Sequence, residues 1–538
     1  MRFNKPVKII DVKGNVENIE SLFIDKALQI GMTGEASNLI IKGKARIILD
    51  FGKEIGGGVR ILTYDIRGNN QIRLRFGESV SETLAEIGEK NATNDHSTRD
   101  LTVSLQTMSD LTFGQTGFRF LNIDFLDENG YFEIKTIRSA ENSDTREFIG
   151  DFECDDPLIN EIFSVAKHTL RLCLQNGYFW DGIKRDRLVW IGDLYPEMLA
   201  GRCLFGNVKE TISSLEFSKE TTPLPNWIST MPAYSLWWII NAYDEYFYSG
   251  NADFIVKTAD YTYGIIKMVN DLVNENGFTN FPSDFIDWPT AYLESESENR
   301  KEDRLTGMRY LTLLCAKKAK EILTIANYDF SDCDNIISKL GNAKNEVKEY
   351  KQIAGLGVLT GDLNENNLKV LLKDGANGLS TFMSYPILKG ISTFGRHNDA
   401  IEIMKAYYGG MLSVGATSFW EDFDIKWLKN CYRIDEMPVE NKIDIHGDYG
   451  AYCYKGFRHS FCHGWSAGVI PYLIEEIAGI KIAQVGCKKI EIKPNLANLT
   501  YVNAKFPTPF GVIEVKHEKV NGEIKTSINA PQGIEIVK

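Results

Sequence analysis

The sequence predicts a mainly α-helical protein in which one large helical region is flanked by β structure on both sides. Apolar and polar residues alternate before about residue 150 and again after about residue 480, and apolar residues at helical spacing fill the stretch between. The length of 538 residues is enough for about three domains. We therefore expect an N-terminal β-sandwich over residues 1–150, a helical domain over 151–480 and a small C-terminal β-sandwich over 481–538.

The expected N-terminal sandwich rests on short runs with strand character. Residues 72–76 alternate apolar and charged side chains, which is the period of a half-buried strand. Residues 46–50 and 117–125 are rich in β-forming residues. Three consecutive glycines at 56–58 predict a turn or a bulge within this β structure. Several short strands separated by turn signals are typical of a sandwich.

The helical region opens with a clear start signal. Asp156 suits the capping position of a helix and Pro157 suits its first turn. Further helical segments are predicted at residues 235–248, 254–274, 304–326, 334–352, 398–412 and 465–478. Space for roughly a dozen helices, joined by Gly, Asn and Pro loops, favours an (α/α)6 barrel. An α-solenoid fits the same count, although the sequence shows no solenoid-type repeat.

The C-terminal region returns to a strand pattern. Residues 488–493 and 511–516 alternate apolar and polar side chains, and Asn521-Gly522 is a strong hairpin-turn signal. The predicted order along the chain is therefore β, a large α region, and a small β region.

The amino-acid composition indicates which classes of ligand the protein can bind and in which cellular compartment we expect it. The net charge of −13 argues against a nucleic-acid partner and against anionic membrane surfaces, because both need clustered basic residues. The N-terminus lacks an apolar stretch of signal-peptide length, and no window reaches the ~20 apolar residues of a membrane span. Nine scattered cysteines are typical of reduced thiols, so we expect a cytoplasmic protein. Cys453, Cys462 and His463 lack the paired spacing of a zinc site, and we expect neither a metal nor a cofactor.

Residues 181–193 form the most unusual segment of the chain. It contains three aspartates, three basic residues and Trp190 within 13 positions. A charge run usually forms a solvated face. Here, however, Leu188, Val189 and Trp190 interrupt the charges, and the glycines permit tight turns. The composition alone is as compatible with a functional loop as with a solvated face.

Glu421 and His463 lie beside aromatic residues later in the chain. Glu421 follows Trp420, where desolvation can shift the pKa of a carboxyl group, although the same segment also suits an ordinary helix N-terminus. His463 precedes Gly464 and Trp465 and could hydrogen-bond a hydroxyl, whereas a lone histidine at a helix start is more often structural.

Aromatic side chains recur around Tyr234 and around Asp287 and Trp288. Indole and phenol rings stack on the apolar faces of sugars, and they also fill protein cores. The sequence leaves both interpretations open for these positions.

Together these segments resemble glycoside hydrolase family 78, the bacterial α-L-rhamnosidases. Residues 181–193 read Asp-Gly-Ile-Lys-Arg-Asp-Arg-Leu-Val-Trp-Ile-Gly-Asp and are similar to the most characteristic loop of that family. Residues 417–421 resemble its general-base segment, and His463-Gly-Trp resembles the histidine-bearing end of its barrel. Residues 49–58 and 507–511 resemble the β domains before and after the barrel, so the resemblance covers nearly the whole chain.

The resemblance implies an inverting hydrolase of terminal α-L-rhamnosides. Glu421 would be the general base and Asp186 the general acid. Many family members read Arg-Asp-Glu-Arg in the loop and use the glutamate as the acid. Here the loop is one residue shorter, and Asp186 is the only carboxylate between the two arginines. An acid at this position requires the heads of Arg185 and Arg187 to bind other partners, because a nearby cation lowers the pKa of a carboxyl group.

The resemblance also implies a rhamnoside or rhamno-oligosaccharide substrate and a set of residues that bind it: Asp181, Arg185, Trp190, Asp193, Tyr234, Asp287, Trp288, Trp420 and His463. Oligomeric state is open, with a homodimer as one option. The alternative functions are an inverting phosphorylase or a hydrolase of another deoxy sugar on the same scaffold, a non-catalytic carbohydrate-binding protein, and a helical interaction scaffold.

Overall fold

A computed structural model of the chain describes residues 1–32, 37–277, 279–291, 296–341, 343 and 345–538. Strands come first, a long helical region follows, and strands close the chain, in the order expected from the sequence.

The N-terminal strands form one antiparallel sheet of seven strands: β1 (Arg2–Asn4), β2 (Lys8–Glu17), β3 (Leu39–Arg67), β4 (Gln71–Gly77), β5 (Asp100–Ser104), β6 (Asp110–Phe125) and β7 (Tyr131–Glu141). The long strand β3 pairs with β2, β6 and β7. Apolar side chains of these strands pack into a buried cluster of their own. A short helix, α1 (Val80–Leu84), follows β4.

The predicted bulge at the glycine triplet is confirmed. The register between β3 and β6 shifts between Gly57 and Val59. A β-carbon on Gly57 would lie 2.1 Å from the carbonyl oxygen of Ala140 on the other neighbouring strand, β7, so only glycine allows β3 and β7 to approach this closely.

The middle of the chain is helical. It begins with the strand β8 (Asp151–Cys154) and contains α2 (Pro157–Cys173), α3 (Leu194–Phe205), α4 (Lys209–Thr221), α5 (Pro232–Ser249), α6 (Asp253–Lys257), α7 (Ala259–Asn270), α8 (Glu298–Ile325), α9 (Ser331–Gly341), α10 (Lys351–Thr360), α11 (Glu365–Leu372), α12 (Ser384–Thr393), α13 (His397–Ser413) and α14 (Val469–Tyr472). Four short strands accompany them: β9 (Leu174–Gln175), β10 (Tyr178–Phe179), β11 (Cys431–Tyr432) and β12 (Ile443–Asp444). Asp156 caps α2 as predicted, and its carboxylate accepts the backbone N–H groups of Leu158 and Ile159.

The prediction of one continuous helix over residues 334–352 is wrong. Helix α9 ends at Gly341 and α10 begins at Lys351. The carboxylate of Asp303, on α8, accepts the backbone N–H groups of Lys348, Glu349 and Tyr350 at 2.8, 2.7 and 2.9 Å. These donors therefore bind a distant side chain instead of continuing a helical ladder. The predicted helix at 254–274 is likewise two helices, α6 and α7, which meet at Thr258.

The C-terminal strands form two small sheets: β13 (Ile480–Gln484), β14 (Lys489–Ile492) and β18 (Glu535–Val537) in one, and β15 (Tyr501–Thr508), β16 (Gly511–Val520) and β17 (Glu523–Asn529) in the other. Strand β8, from the start of the helical region, adds to the second sheet by pairing with β15. The predicted turn at Asn521-Gly522 joins β16 to β17, with both residues at positive φ. One large apolar cluster includes side chains from the helices and from these strands.

All nine cysteines are free. No helix in the described part of the chain combines the length and the apolar character needed to cross a bilayer.

Candidate active site

The loop at residues 181–193 connects β10 to α3 and is folded around the carboxylate of Asp181. One oxygen of this carboxylate accepts the backbone N–H of Leu188 at 2.8 Å, and the other accepts that of Asp186 at 3.1 Å. The backbone carbonyl of Asp181 accepts the N–H of Gly464 at 2.7 Å. The charged loop is therefore held against the segment that carries His463, far away in sequence.

An open pocket of about 340 Å³ lies beside this loop. Its wall is formed by Asp181, Asp186, Trp190, Asp193, Met231, Tyr234, Trp288, Glu421, Cys453, His463 and Trp465. Eight of the eleven residues that the sequence singled out are in this set.

Arg185 lies buried behind the pocket and joins the two carboxylates to which catalytic roles were assigned. One terminal nitrogen donates to Asp186 at 2.9 Å, and the other donates to Glu421. The sequence analysis required both arginine heads to bind partners other than Asp186. Arg187 meets that requirement, because it lies over the ring of Trp180 and donates to the carbonyl of Gln115. Arg185 does not meet it.

Glu421 is buried and held from several sides. Its second carboxylate oxygen accepts the N–H of Ser460 at 3.3 Å, and its backbone carbonyl accepts the indole N–H of Trp465 at 2.9 Å. Burial raises the pKa of Glu421, while the contact with Arg185 opposes that rise.

Asp181, Asp193 and His463 form a buried polar centre on one wall. Burial raises the pKa of both aspartates well above the usual range; repulsion from Asp186 adds to the rise at Asp181, and repulsion from Asp181 adds to the rise at Asp193. Burial also holds the pKa of His463 well below its usual value. The Nε2 of His463 lies 3.6 Å from Asp181, 3.8 Å from Asp193 and 4.0 Å from Glu421. Asp181, Asp193 and His463 can each form hydrogen bonds with sugar hydroxyls.

Aromatic rings form the rest of the wall. Trp190 packs edge-on against Tyr234, with ring centroids 5.7 Å apart. The hydroxyl of Tyr234 hydrogen-bonds Asp193. Trp288 stacks on Tyr452 at 5.4 Å. These half-buried indoles combine an apolar face with neighbouring polar groups, an arrangement that suits a pyranose ring.

Asp287 and Trp420 lie behind the pocket rather than in its wall. Asp287 caps the turn that carries Trp288 and accepts the hydroxyl of Ser380 at 2.5 Å. Trp420 is fully buried and stacks on Phe461, with ring centroids 3.8 Å apart. Both side chains support residues that do face the pocket.

Three wall residues and one neighbour were absent from the predicted set. Met231 is the residue before Pro232 at the start of α5, so its nearness to Tyr234 was a usable signal. Trp465 belonged to the His463 motif but was assigned no role. Cys453 and His96 have no motif around them. His96, from the N-terminal region, lies with its Nε2 3.5 Å from a carboxylate oxygen of Asp186.

Comparison with known proteins supports the family resemblance. Residues 479–537 match the family model described as the bacterial α-L-rhamnosidase C-terminal domain. Among solved structures, the chain resembles a family 78 rhamnosidase of Bacillus sp. GL1, with a TM-score of 0.74 and 19% identity over 94% of this chain and 54% of that one. No curated protein sequence matches the chain.

Two further structures give the same result. An α-L-rhamnosidase from Dictyoglumus thermophilum has a TM-score of 0.70 and 16% identity, over 100% of this chain and 58% of that one. A Streptomyces avermitilis α-L-rhamnosidase complexed with L-rhamnose has a TM-score of 0.68 and 13% identity, over 91% of this chain and 48% of that one. This chain spans about half the length of these three proteins.

The chain therefore shares the fold of these three structures and has an acidic, aromatic-lined pocket. That fold is the one found in the α-L-rhamnosidases of glycoside hydrolase family 78, and the resemblance that the sequence motifs indicated is confirmed.

Proposed function

We propose that this chain is an inverting glycoside hydrolase that releases terminal α-L-rhamnose. The observation that carries the proposal is that Asp186 and Glu421, 235 positions apart in sequence, line one pocket with a polar centre and indole walls. The shared fold, and the L-rhamnose bound in the Streptomyces avermitilis structure, support the choice of sugar.

The proposed reaction uses the two carboxyl groups on opposite sides of the sugar. Asp186 gives its proton to the glycosidic oxygen as the bond from that oxygen to the anomeric carbon breaks. A water molecule attacks the anomeric carbon from the other face and loses a proton to Glu421. Inverting enzymes keep the two carboxyl groups roughly 6.5–9.5 Å apart to admit this water.

Arg185 contacts both proposed catalytic carboxylates. At Glu421 its charge opposes the rise in pKa that burial causes, which favours the ionised form that a base requires, and the same guanidinium donates to Asp186. We expect the bound glycoside to displace Arg185 from Asp186. Asp193 is the rival proton donor, because it lines the same pocket and burial keeps its pKa well above the usual range.

The finer architecture is part of the same proposal. The helices between Pro157 and Tyr472 would form an (α/α)6 barrel, with domains over residues 1–150, 151–480 and 481–538. Strand β8 lies at the boundary between the first two of these domains and pairs with strand β15 of the C-terminal region. Nine free thiols favour a reducing, cytoplasmic environment.

The deciding experiment is proton NMR of the anomeric signals during cleavage of p-nitrophenyl α-L-rhamnoside. An inverting hydrolase gives the β-anomer of rhamnose first, and the α-anomer appears later by mutarotation. Initial release of the α-anomer would refute inversion. Turnover that requires phosphate would indicate a phosphorylase, and turnover only with another deoxy sugar would change the substrate. Binding of rhamnose without turnover would identify a carbohydrate-binding protein.

A further inference from the structure

A buried ionic cluster connects the N-terminal region to the candidate active site. Lys184, from the charged loop, places its ammonium 2.8 Å from Glu78 and 3.2 Å from Glu82, the two glutamates at α1. The same ammonium donates to the backbone carbonyls of Phe457 and His459 at 3.0 and 2.6 Å. All these side-chain charges are almost completely withdrawn from solvent. Removing one partner therefore leaves a buried charge without compensation.

The carboxylate of Glu78 also binds the segment that faces Glu421. One oxygen accepts the backbone N–H of Phe461 at 2.7 Å, and the other accepts the hydroxyl of Ser460 at 3.3 Å. Ser460 is paired with Glu421 through its backbone in both directions. Its N–H donates to the Glu421 carboxylate at 3.3 Å, and its carbonyl accepts the Glu421 N–H at 2.9 Å.

The N-terminal region reaches the other proposed catalytic carboxylate as well. His96 lies beside Asp186, with its Nδ1 3.2 Å from the backbone carbonyl. Arg458 points at the Nε2 of the same ring from 3.3 Å. Both carboxylates are therefore contacted, directly or through one backbone segment, by residues that precede the helical region.

We propose that Glu78 is a positioning residue of the active site, fixing Ser460 and Phe461 so that the Ser460 N–H is held against Glu421. The proposal rests on the proposed function, in which Glu421 is the base. Glu78 acts through the neighbouring backbone and does not contact the substrate. The N-terminal region, which contains Glu78 and His96, thus contributes to the geometry of the active site.

Glu78→Gln is the test, and Glu54→Gln is its matched control. Glu54 belongs to the same buried region, burial raises the pKa of its carboxyl group well above the usual range, and one of its carboxyl oxygens has no hydrogen-bond partner in the described part of the chain. Its replacement by an isosteric amide changes little. Glutamine at 78 keeps an oxygen for Phe461 and Lys184 but removes the negative charge that faces the ammonium, and its amide must donate to Ser460 where the carboxylate accepted. We expect kcat on p-nitrophenyl α-L-rhamnoside to fall about 10- to 100-fold in Glu78→Gln. KM should change less than kcat, and Glu54→Gln should match the wild type.

The pH dependence of kcat/KM distinguishes a displaced Ser460 from a general loss of the folded structure. A hydrogen bond to an ionised carboxylate lowers its pKa, so a weakened Ser460 bond raises the pKa of Glu421. The other titratable groups that interact with this carboxylate are Arg185, His463, Asp186, Cys453, Asp181, Asp193, Asp422 and Tyr454. They are unchanged in both variants. The acidic limb of kcat/KM should therefore move to higher pH in Glu78→Gln and stay in place in Glu54→Gln. Unchanged kcat and an unchanged limb in Glu78→Gln would overturn the proposal.

Amide hydrogen exchange provides a readout that does not depend on activity. We expect the amides of Ser460 and Phe461 to exchange faster in Glu78→Gln than in the wild type or Glu54→Gln. If the wild type cleaves no aryl rhamnoside, the proposed function fails, and exchange alone then decides whether Glu78 holds this segment. If Glu78→Gln does not fold, Glu78→Asp withdraws the carboxylate by one methylene while keeping its charge. Wild-type exchange and wild-type pH dependence in that variant would equally contradict the proposal.

Discussion

Arg185 and Glu421 are in direct contact although 236 positions separate them in the chain. The second terminal nitrogen of the same guanidinium donates to Asp186 at 2.9 Å. One buried cation therefore bridges the two proposed catalytic carboxylates. At Glu421 it opposes the rise in pKa that burial causes, which assists a base.

Replacing Arg185 with lysine should move the acidic limb of kcat/KM to higher pH. Lysine keeps the charge but cannot present two donors in the fixed geometry of a guanidinium, so its contact with Glu421 weakens. Because burial raises the pKa of Glu421 and Arg185 opposes that rise, a weaker contact lets the pKa increase. Arg187→Lys is the matched control, since Arg187 faces Trp180. Identical pH profiles for both variants would contradict the assigned role of Arg185.

Glu421→Gln should fold normally and lose activity by about 10²- to 10⁴-fold, the usual contribution of a general base. Glu245→Gln makes the same change at a buried glutamate that lines a different cavity, and it should retain wild-type turnover. Steady-state kinetics with an aryl rhamnoside and far-UV circular dichroism provide the two measurements. Near-normal turnover in Glu421→Gln would remove Glu421 from the mechanism.

Asp186→Asn should impair substrates with poor leaving groups more than activated aryl rhamnosides, because only the former need a proton on the departing oxygen. The measurement is kcat/KM for a series of aryl rhamnosides of graded leaving-group pKa. An equal loss across the series would make Asp186 a binding residue. The same series with Asp193→Asn would then show whether the buried neighbour is the donor.

Asp193→Asn should reduce the loss of stability over the pH interval that begins above about 4, where an aspartate of the unfolded chain loses its proton. Burial raises the pKa of Asp193 well above 3.8, so the native state holds a proton that the unfolded chain has already released. Stability therefore falls as pH rises through this interval, and an asparagine removes that contribution. The difference should be on the order of a few degrees in Tm. Asp329→Asn is the control, because hydrogen bonds from Ser331 lower the pKa of Asp329 and it is ionised throughout. A parallel decline of wild type and Asp193→Asn would contradict a protonated Asp193.

Cys453 should be alkylated by iodoacetamide in a reaction that L-rhamnose slows. Its half-buried thiol lies in the pocket wall, and burial raises its pKa, so labelling should accelerate toward alkaline pH. Cys431 is also half-buried but lies outside the pocket wall, and rhamnose should not protect it. Peptide mass spectrometry after labelling distinguishes the two thiols. Equal labelling of Cys453 with and without the sugar would mean that rhamnose does not occupy this pocket.

Much of the site could be predicted because its residues lie in two short motifs. The loop at 181–193 and the pair formed by Glu421 and His463 combine charges with aromatic residues, and the fold brings them together. The sequence predictions fail where the role of a side chain depends on a contact with a residue far away in the chain. The orientation of Arg185 depends on Glu421, and the role of Trp420 depends on its stacking partner Phe461.

The fold also contains both features that local sequence signals predict and features that depend on distant contacts. Strand alternation, the cap at Asp156 and the turn at Asn521-Gly522 are local signals, and the structure agrees with each of them. The break between α9 and α10 depends on Asp303, more than 40 positions away from the amides that it binds. The pairing of β8 with β15 depends on the opposite end of the chain, so no local pattern could have indicated it.

That pairing has a consequence for how the polypeptide matures during synthesis. Residues 151–154 are synthesised about 350 positions before their hydrogen-bonding partner at residues 502–505. Until that partner is made, the edge of β8 is unpaired and open to association with other nascent chains. We expect the region between them to reach its final packing only after residues 502–505 have been synthesised.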